Sequence, residues 1–137
     1  MSGSLVRDAM VREPVKLDVS DSAQAAGERL ADPNVRAVLV CDDGTLVGVV
    51  TRKTLVREVV APGLDPRTTE LRAIAEPPLF TVDAGIELER AFHMLEERDL
   101  ERVPVVEDGR LVGVLSRAVI QRRLAEDEPV EPDAELV

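Results

Sequence analysis

Residues 43–52 read DGTLVGVVTR and residues 108–117 read DGRLVGVLSR. The two stretches are offset by 65 residues, and the correspondence extends outward from them without a gap. Placing residues 17–59 over 82–124 makes thirteen of the 43 positions identical. The apolar pattern also agrees where the letters differ, so the chain reads as an internal duplication of one unit.

Each copy carries the same order of signals. A short extended run comes first, Val15–Leu17 in one copy and Leu79–Val82 in the other. A proline precedes each run (Pro14, Pro78), which removes an N–H and disfavours helix just before it. An amphipathic helix follows: Leu88, Ala91, Phe92 and Leu95 fall on one face at helical spacing. The first copy has Ala23, Ala26, Gly27 and Leu30 at the same places, a smaller face, with Ser20 or Asp21 expected as N-cap. Two Val-rich runs come next, Ala37–Cys41 with Leu46–Thr51 and Val103–Val106 with Leu111–Ser116. Asp43-Gly44 and Asp108-Gly109 join them, and Asp-Gly is a strong short hairpin signal. Runs apolar on both faces are expected to be covered on both sides. Closing helices are expected over about Arg52–Val60 and Arg117–Ala125. The fold class is therefore α/β (α+β), a tandem β-α-β-β-α repeat with a pseudo-two-fold axis. The expected organisation is a first repeat over 1–60, a linker over 61–68, a second repeat over 69–125 and an acidic, disordered tail over 126–137. One half alone, at about 65 residues, buries too little surface to stand comfortably by itself.

Composition narrows the functional classes. The net charge is −10, and six of the last twelve residues are acidic. Without a cluster of basic residues to release counterions, nucleic acid and anionic membrane are not expected partners. No run approaches the ~20 apolar residues that span a bilayer, and the N-terminus lacks the apolar core of a secretory signal. Cys41 is the only cysteine, which excludes an intramolecular disulfide and a Cys-rich metal site and points to the cytoplasm. His93 is the only histidine and is expected to face solvent; Cys41 is expected to be a buried, inert thiol. No phosphate-binding, dinucleotide-binding, zinc-protease or serine-hydrolase motif is present. Neither catalytic residues nor a metal site are expected.

The duplicated unit, with its third strand running into a helix as G-V-V-T-R or G-V-L-S-R, resembles the CBS-domain pair (tandem cystathionine-beta-synthase-type domains). The likeness covers about residues 5–125. It implies one globular module, commonly dimerised, whose inter-repeat clefts take adenosine compounds: AMP, ADP, ATP, S-adenosylmethionine or NAD. The implied function is a non-catalytic regulatory module sensing such a molecule, with a homodimer and an unidentified regulated protein as partners. The implied ligand-binding residues are Val15, Lys16 and Leu17 with Leu79, Phe80 and Thr81 for the base, and Thr51, Arg52, Ser116 and Arg117 for phosphate. Thr54, Arg102 and Pro104 complete the set. Phe80 is the only aromatic placed to stack on a base.

The chain departs from the family where an Asp, three residues after the Thr/Ser, grips the ribose hydroxyls. Those positions here are Thr54 and Val119. The first copy, with Thr51, Arg52, Lys53 and Thr54, keeps more polar capacity than the second. The alternative is a constitutive dimerisation or protein-interaction module with no bound nucleotide. In that case Thr51 and Ser116 are helix N-caps, and Arg52 and Arg117 are solvated charges. Gly48 and Gly113 are expected to let strand and helix pack closely. A dimer contact is expected on the closing helices at Leu55, Val59, Ile120 and Leu124.

Overall fold

The computed structural model describes residues 4–12 and 14–127. Its elements are α1 (Val6–Ala9), β1 (Lys16–Asp18), α2 (Ala23–Leu30), β2 (Val38–Asp42), β3 (Thr45–Val50) and α3 (Arg52–Leu55). The last continues as a π-helical segment, Val56–Val60. Then come α4 (Leu71–Ile74), β4 (Val82–Asp83), α5 (Leu88–Glu97), β5 (Arg102–Glu107), β6 (Arg110–Ser116) and α6 (Arg117–Asp127). Of the acidic tail, Glu126 and Asp127 belong to α6; the rest lies outside the described residues.

All six strands form one sheet in the order β1-β2-β3-β6-β5-β4. In each half the first strand runs parallel to the second, and the second pairs with the third as an antiparallel hairpin. Both hairpins turn through Asp-Gly with positive φ at each residue: 51° and 85° at Asp43-Gly44, 54° and 79° at Asp108-Gly109. That backbone matches the twist of the flanking strands, and glycine adopts its second position without steric cost. The pseudo-two-fold passes between β3 and β6, which meet at a narrow seam, Thr45 opposite Arg110. There the Leu46 and Leu111 N–H groups donate to the carbonyls of Gly109 and Gly44.

The halves exchange their N-terminal arms. In α1, Val6 is fully buried in the second-repeat core with Val82, Leu88, Leu95, Leu115 and Ile120. In α4, Leu71 and Ile74 are buried in the first-repeat core with Ala26, Leu30, Val38 and Val59. Backbone bonds repeat the exchange: the Val6 N–H donates to Ile86 and that of Arg7 to Ala84, while the Leu71 N–H donates to Asp21 and that of Arg72 to Val19. The apolar periodicity of these four-residue helices is too short to register in sequence, so the crossover was not visible there. Gly48 and Gly113 make room for the arms rather than for a helix packed on the strand. A Cβ at Gly48 would lie 2.6 Å from the Ala75 Cβ, and one at Gly113 would lie 2.7 Å from the Val11 carbonyl.

Three local expectations change. The N-cap of α2 is Ser22, which accepts from the Ala25 N–H at 3.1 Å. Ser20 is held instead by the Asp18 carboxylate, and Asp21 accepts from the Asp18 N–H. The extended run at Leu79–Val82 becomes a strand only at Val82, because Pro77 and Pro78 supply no N–H and the chain there lines a cleft. On the closing helices, Val59 and Ile120 are buried within the chain's own cores, and Leu55 and Leu124 pack against them. The exposed apolar residues of that region are Val56 and Val60.

Candidate functional site: the inter-repeat cleft

A cleft of about 590 Å³ lies between the two halves. That volume falls within the range of small-molecule sites, roughly 300–1,000 Å³. Its lining follows the duplication. Val15 faces it with Phe80, Val35 with Leu100, Ala37 with Arg102, Leu39 with Pro104, Val49 with Val114, and Thr51 with Ser116. The exchanged arms contribute Val11 and Glu76, the same pair of equivalents, followed by Pro77, Pro78 and Leu79. Two repeat-related half-sites thus merge into one space whose walls are mostly aliphatic.

Seven of the thirteen residues expected at the site line this cleft: Val15, Thr51, Leu79, Phe80, Arg102, Pro104 and Ser116. The other six do not. Lys16, Leu17 and Thr81 lie outside the lining, and Leu17 packs against the first-repeat core. Arg52 turns away to donate to the carbonyls of Leu30 and Asp32, at 2.5 and 2.9 Å. It thereby ties down the last turn of α2, where carbonyls lack helical partners. Arg117 is bound to Glu101 and lies 3.8 Å from Asp99. Both arginines therefore anchor the connection between helix and second strand.

Thr54 is buried and closes a reciprocal capping box. Its Oγ1 accepts from the Thr51 N–H at 3.0 Å, and its own N–H donates to Thr51 Oγ1 at 3.3 Å. Ser116 Oγ accepts from the Val119 N–H at 3.4 Å. Thr51 and Ser116 are thus caps that also touch the cleft, while Thr54 is withdrawn from it. The polar capacity that favoured the first copy in sequence is spent on local structure.

The remaining charges make the cleft rim attractive to anions. Arg36 and Arg102 line it and are exposed, and their side chains make no ion pair or hydrogen bond among the described residues. Glu76, the one carboxylate in the lining, is bound to Arg57. Phe80 is held by the Arg98 guanidinium, 4.3 Å from its ring centroid. Leu79, beside it, is 94% exposed. Sequence reasoning missed Arg36 and, on the arms, Val11 and Glu76. Arg36 precedes an apolar run and is matched in the second copy by Glu101, so no recurrence marks it, and the arms reach the cleft only through the crossover.

Elsewhere the expected residues are quiet. His93 is exposed, 3.6 Å from Glu96, with its ring edge-on to Phe92. Cys41 is buried, and burial pushes its thiol pKa upward. Among the described residues no three His, Cys, Asp or Glu side chains come together as a metal site. No helix among them is long and apolar enough to cross a membrane.

Two β-α-β-β-α units around a shared cleft define a tandem-repeat architecture, and comparison gives it a family. The CBS domain pattern matches residues 6–61 and 71–126, and the chain belongs to the CBS domain family. Hypoxic response protein 1 of Mycobacterium tuberculosis is 31% identical over 126 residues, spanning 91% of this chain and 88% of that protein. The crystal structure of hypoxic response protein I with two coordinated zinc ions superposes with a TM-score of 0.73 at 29% identity, over 88% of this chain and 98% of that one. The structure of CBSX2 in complex with AMP superposes with a TM-score of 0.68 at 30% identity, over 90% and 98% of the two chains.

Proposed function

We propose that this chain is a non-catalytic regulatory module that senses an adenosine-type small molecule in the cleft between its two repeats. The observation that carries this reading is the cleft itself: aliphatic walls and one ring, with two unpartnered guanidinium groups at the rim. Apolar walls suit a base, and guanidinium suits phosphate through its fork of donors. The AMP complex of CBSX2 supports the same chemistry in a relative of similar fold. AMP, ADP, ATP, S-adenosylmethionine and NAD are the candidate ligands. A bound molecule touches both repeats and both exchanged arms, and it shifts their packing to the extent that it favours one arrangement over another. The module acts in the cytoplasm as a homodimer and passes its state to a regulated protein. Val56 and Val60, 58% and 70% exposed, offer an apolar surface for a second copy.

One observation favours a second reading, a constitutive dimerisation module with an empty cleft. Neither Thr54 nor Val119 offers a carboxylate to ribose, and Thr54 is buried. Thermal unfolding with each candidate ligand separates the two. A ligand at 100 times its dissociation constant stabilises by about 2.7 kcal/mol, roughly 5–10 °C for a chain of this size. One clear shift supports sensing; a flat panel supports the empty module.

A further inference from the structure

We infer that residues 128–137, EPVEPDAELV, fold back over the inter-repeat cleft and compete with whatever enters it. The inference goes beyond the sensor reading and treats the cleft as a contact surface, whatever small molecule it takes. The cleft and the segment match in charge. Arg36 and Arg102 stand at the rim with side chains unpaired among the described residues, and the one carboxylate of the lining, Glu76, is bound to Arg57. The segment brings four carboxylates: Glu128, Glu131, Asp133 and Glu135. A carboxylate and a guanidinium form a charge-assisted, bidentate pair.

They also match in apolar surface. Leu79 and Val11 line the cleft and are 94% and 57% exposed. Val130, Ala134, Leu136 and Val137 are interleaved with the acids and supply aliphatic groups to cover them. Pro129 and Pro132 remove two N–H groups that an apolar wall would leave unsatisfied. The second groove, around Gly27, Val60 and Leu64, is apolar as well, but its lining holds Glu28 and no cation. An acidic segment is therefore drawn to the cleft and not to that groove.

The segment is long enough to return. Ser116 lines the cleft opposite Arg102 in the strand register, and α6 starts at the next residue. Its 11 residues to Asp127 carry the chain about 16 Å. Residues 128–137, fully extended, reach up to about 33 Å, twice that distance. Tethering places the segment at an effective concentration on the order of millimolar, so weak pairs at an exposed rim suffice. A ligand enters by displacing it.

Paramagnetic relaxation in the full, isotope-labelled chain tests this, with a nitroxide attached through Ala134→Cys. Cys41 is buried, and treating the unsubstituted chain with the same reagent verifies that it stays unmodified. The amide signals of Val15, Leu79, Arg102 and Ser116 are expected to lose at least half their intensity relative to the reduced nitroxide. Those of Gly27, Val60 and Leu64 should keep theirs. Adding Arg36→Ala and Arg102→Ala should restore most of the lost intensity, with unchanged melting verifying the fold. Cleft amides no more broadened than groove amides, or broadening that survives loss of both arginines, overturns the inference. Titrating AMP into the labelled chain separates it from the sensor reading. AMP-induced shifts at the cleft without broadening there overturn the inference and spare that reading. Broadening there with no response to AMP upholds the inference and counts against AMP as the ligand.

Discussion

Val11 and Val114 exchange both backbone hydrogen bonds, 2.8 Å from the Val11 N–H and 3.0 Å from that of Val114, although 103 residues separate them. Val49 and Glu76 form the equivalent pair, at 2.7 and 2.9 Å. Each repeat is thereby held by the arm of the other, and the arms form part of the wall against which a ligand would sit. On the proposed reading, stability and ligand response are coupled at these two bridges.

The arm of the first repeat should stabilise the second. Val6 is fully buried in the second-repeat core. Val6→Ala is expected to cost about 2 kcal/mol, from lost burial and the cavity left behind. Denaturant unfolding measures it, with a single cooperative transition expected because the arms join the two cores.

The glycines under the arms should tolerate no side chain. Gly48→Ala and Gly113→Ala place a methyl group against backbone or fixed side-chain atoms, and each is expected to cost about 1–3 kcal/mol. The measured change should exceed that for an alanine at Gly63, where a Cβ meets no atom within 4 Å. Gly63 has φ 76°, so its alanine variant reports backbone strain alone.

Acid should weaken the fold partly through Asp18. The Ser20 hydroxyl and then the Ser20 N–H donate to its carboxylate and hold its pKa below the usual value. The unfolded chain therefore takes up this proton first as pH falls. The stabilisation is present above the unfolded value, about 3.9, and is lost as pH drops through the lower folded value. Melting temperature against pH should fall less steeply below about pH 4 in Asp18→Asn than in wild type.

Much of this organisation was legible in the sequence because the duplication is local and gapless: the Asp-Gly turns, the Val-rich runs and the α5 face each follow from spacing alone. The crossover was not legible, since α1 and α4 carry a single turn each and dock on residues distant in sequence. Arg52 and Arg117 illustrate a second limit. Their spacing in the two copies does not say what they touch; only the folded chain places Arg52 against the carbonyls of Leu30 and Asp32 and Arg117 against Glu101. Thr54 is the third case, a polar residue whose hydroxyl is consumed by its own helix cap and so never reaches the cleft.

Restoring a carboxylate should be possible on one side only. Val119 lines the cleft at the third position of α6, where an acid also suits the Ser116 cap. Val119→Asp should strengthen adenosine-ligand binding by roughly ten- to a hundredfold, the worth of a charged hydrogen bond to ribose of about 1.5–3 kcal/mol. Thr54→Asp should instead destabilise the chain, because residue 54 is buried. Calorimetry and melting of the two variants check both outcomes.

The central claim, that the inter-repeat cleft is a ligand site, is tested most directly by nuclear magnetic resonance titration of the labelled chain with AMP. Saturable shifts are expected at Val15, Leu79, Phe80, Arg102 and Ser116, with none around the distant groove of Gly27, Val60 and Leu64. A spectrum unchanged at millimolar AMP, or shifts confined to that groove, would contradict it.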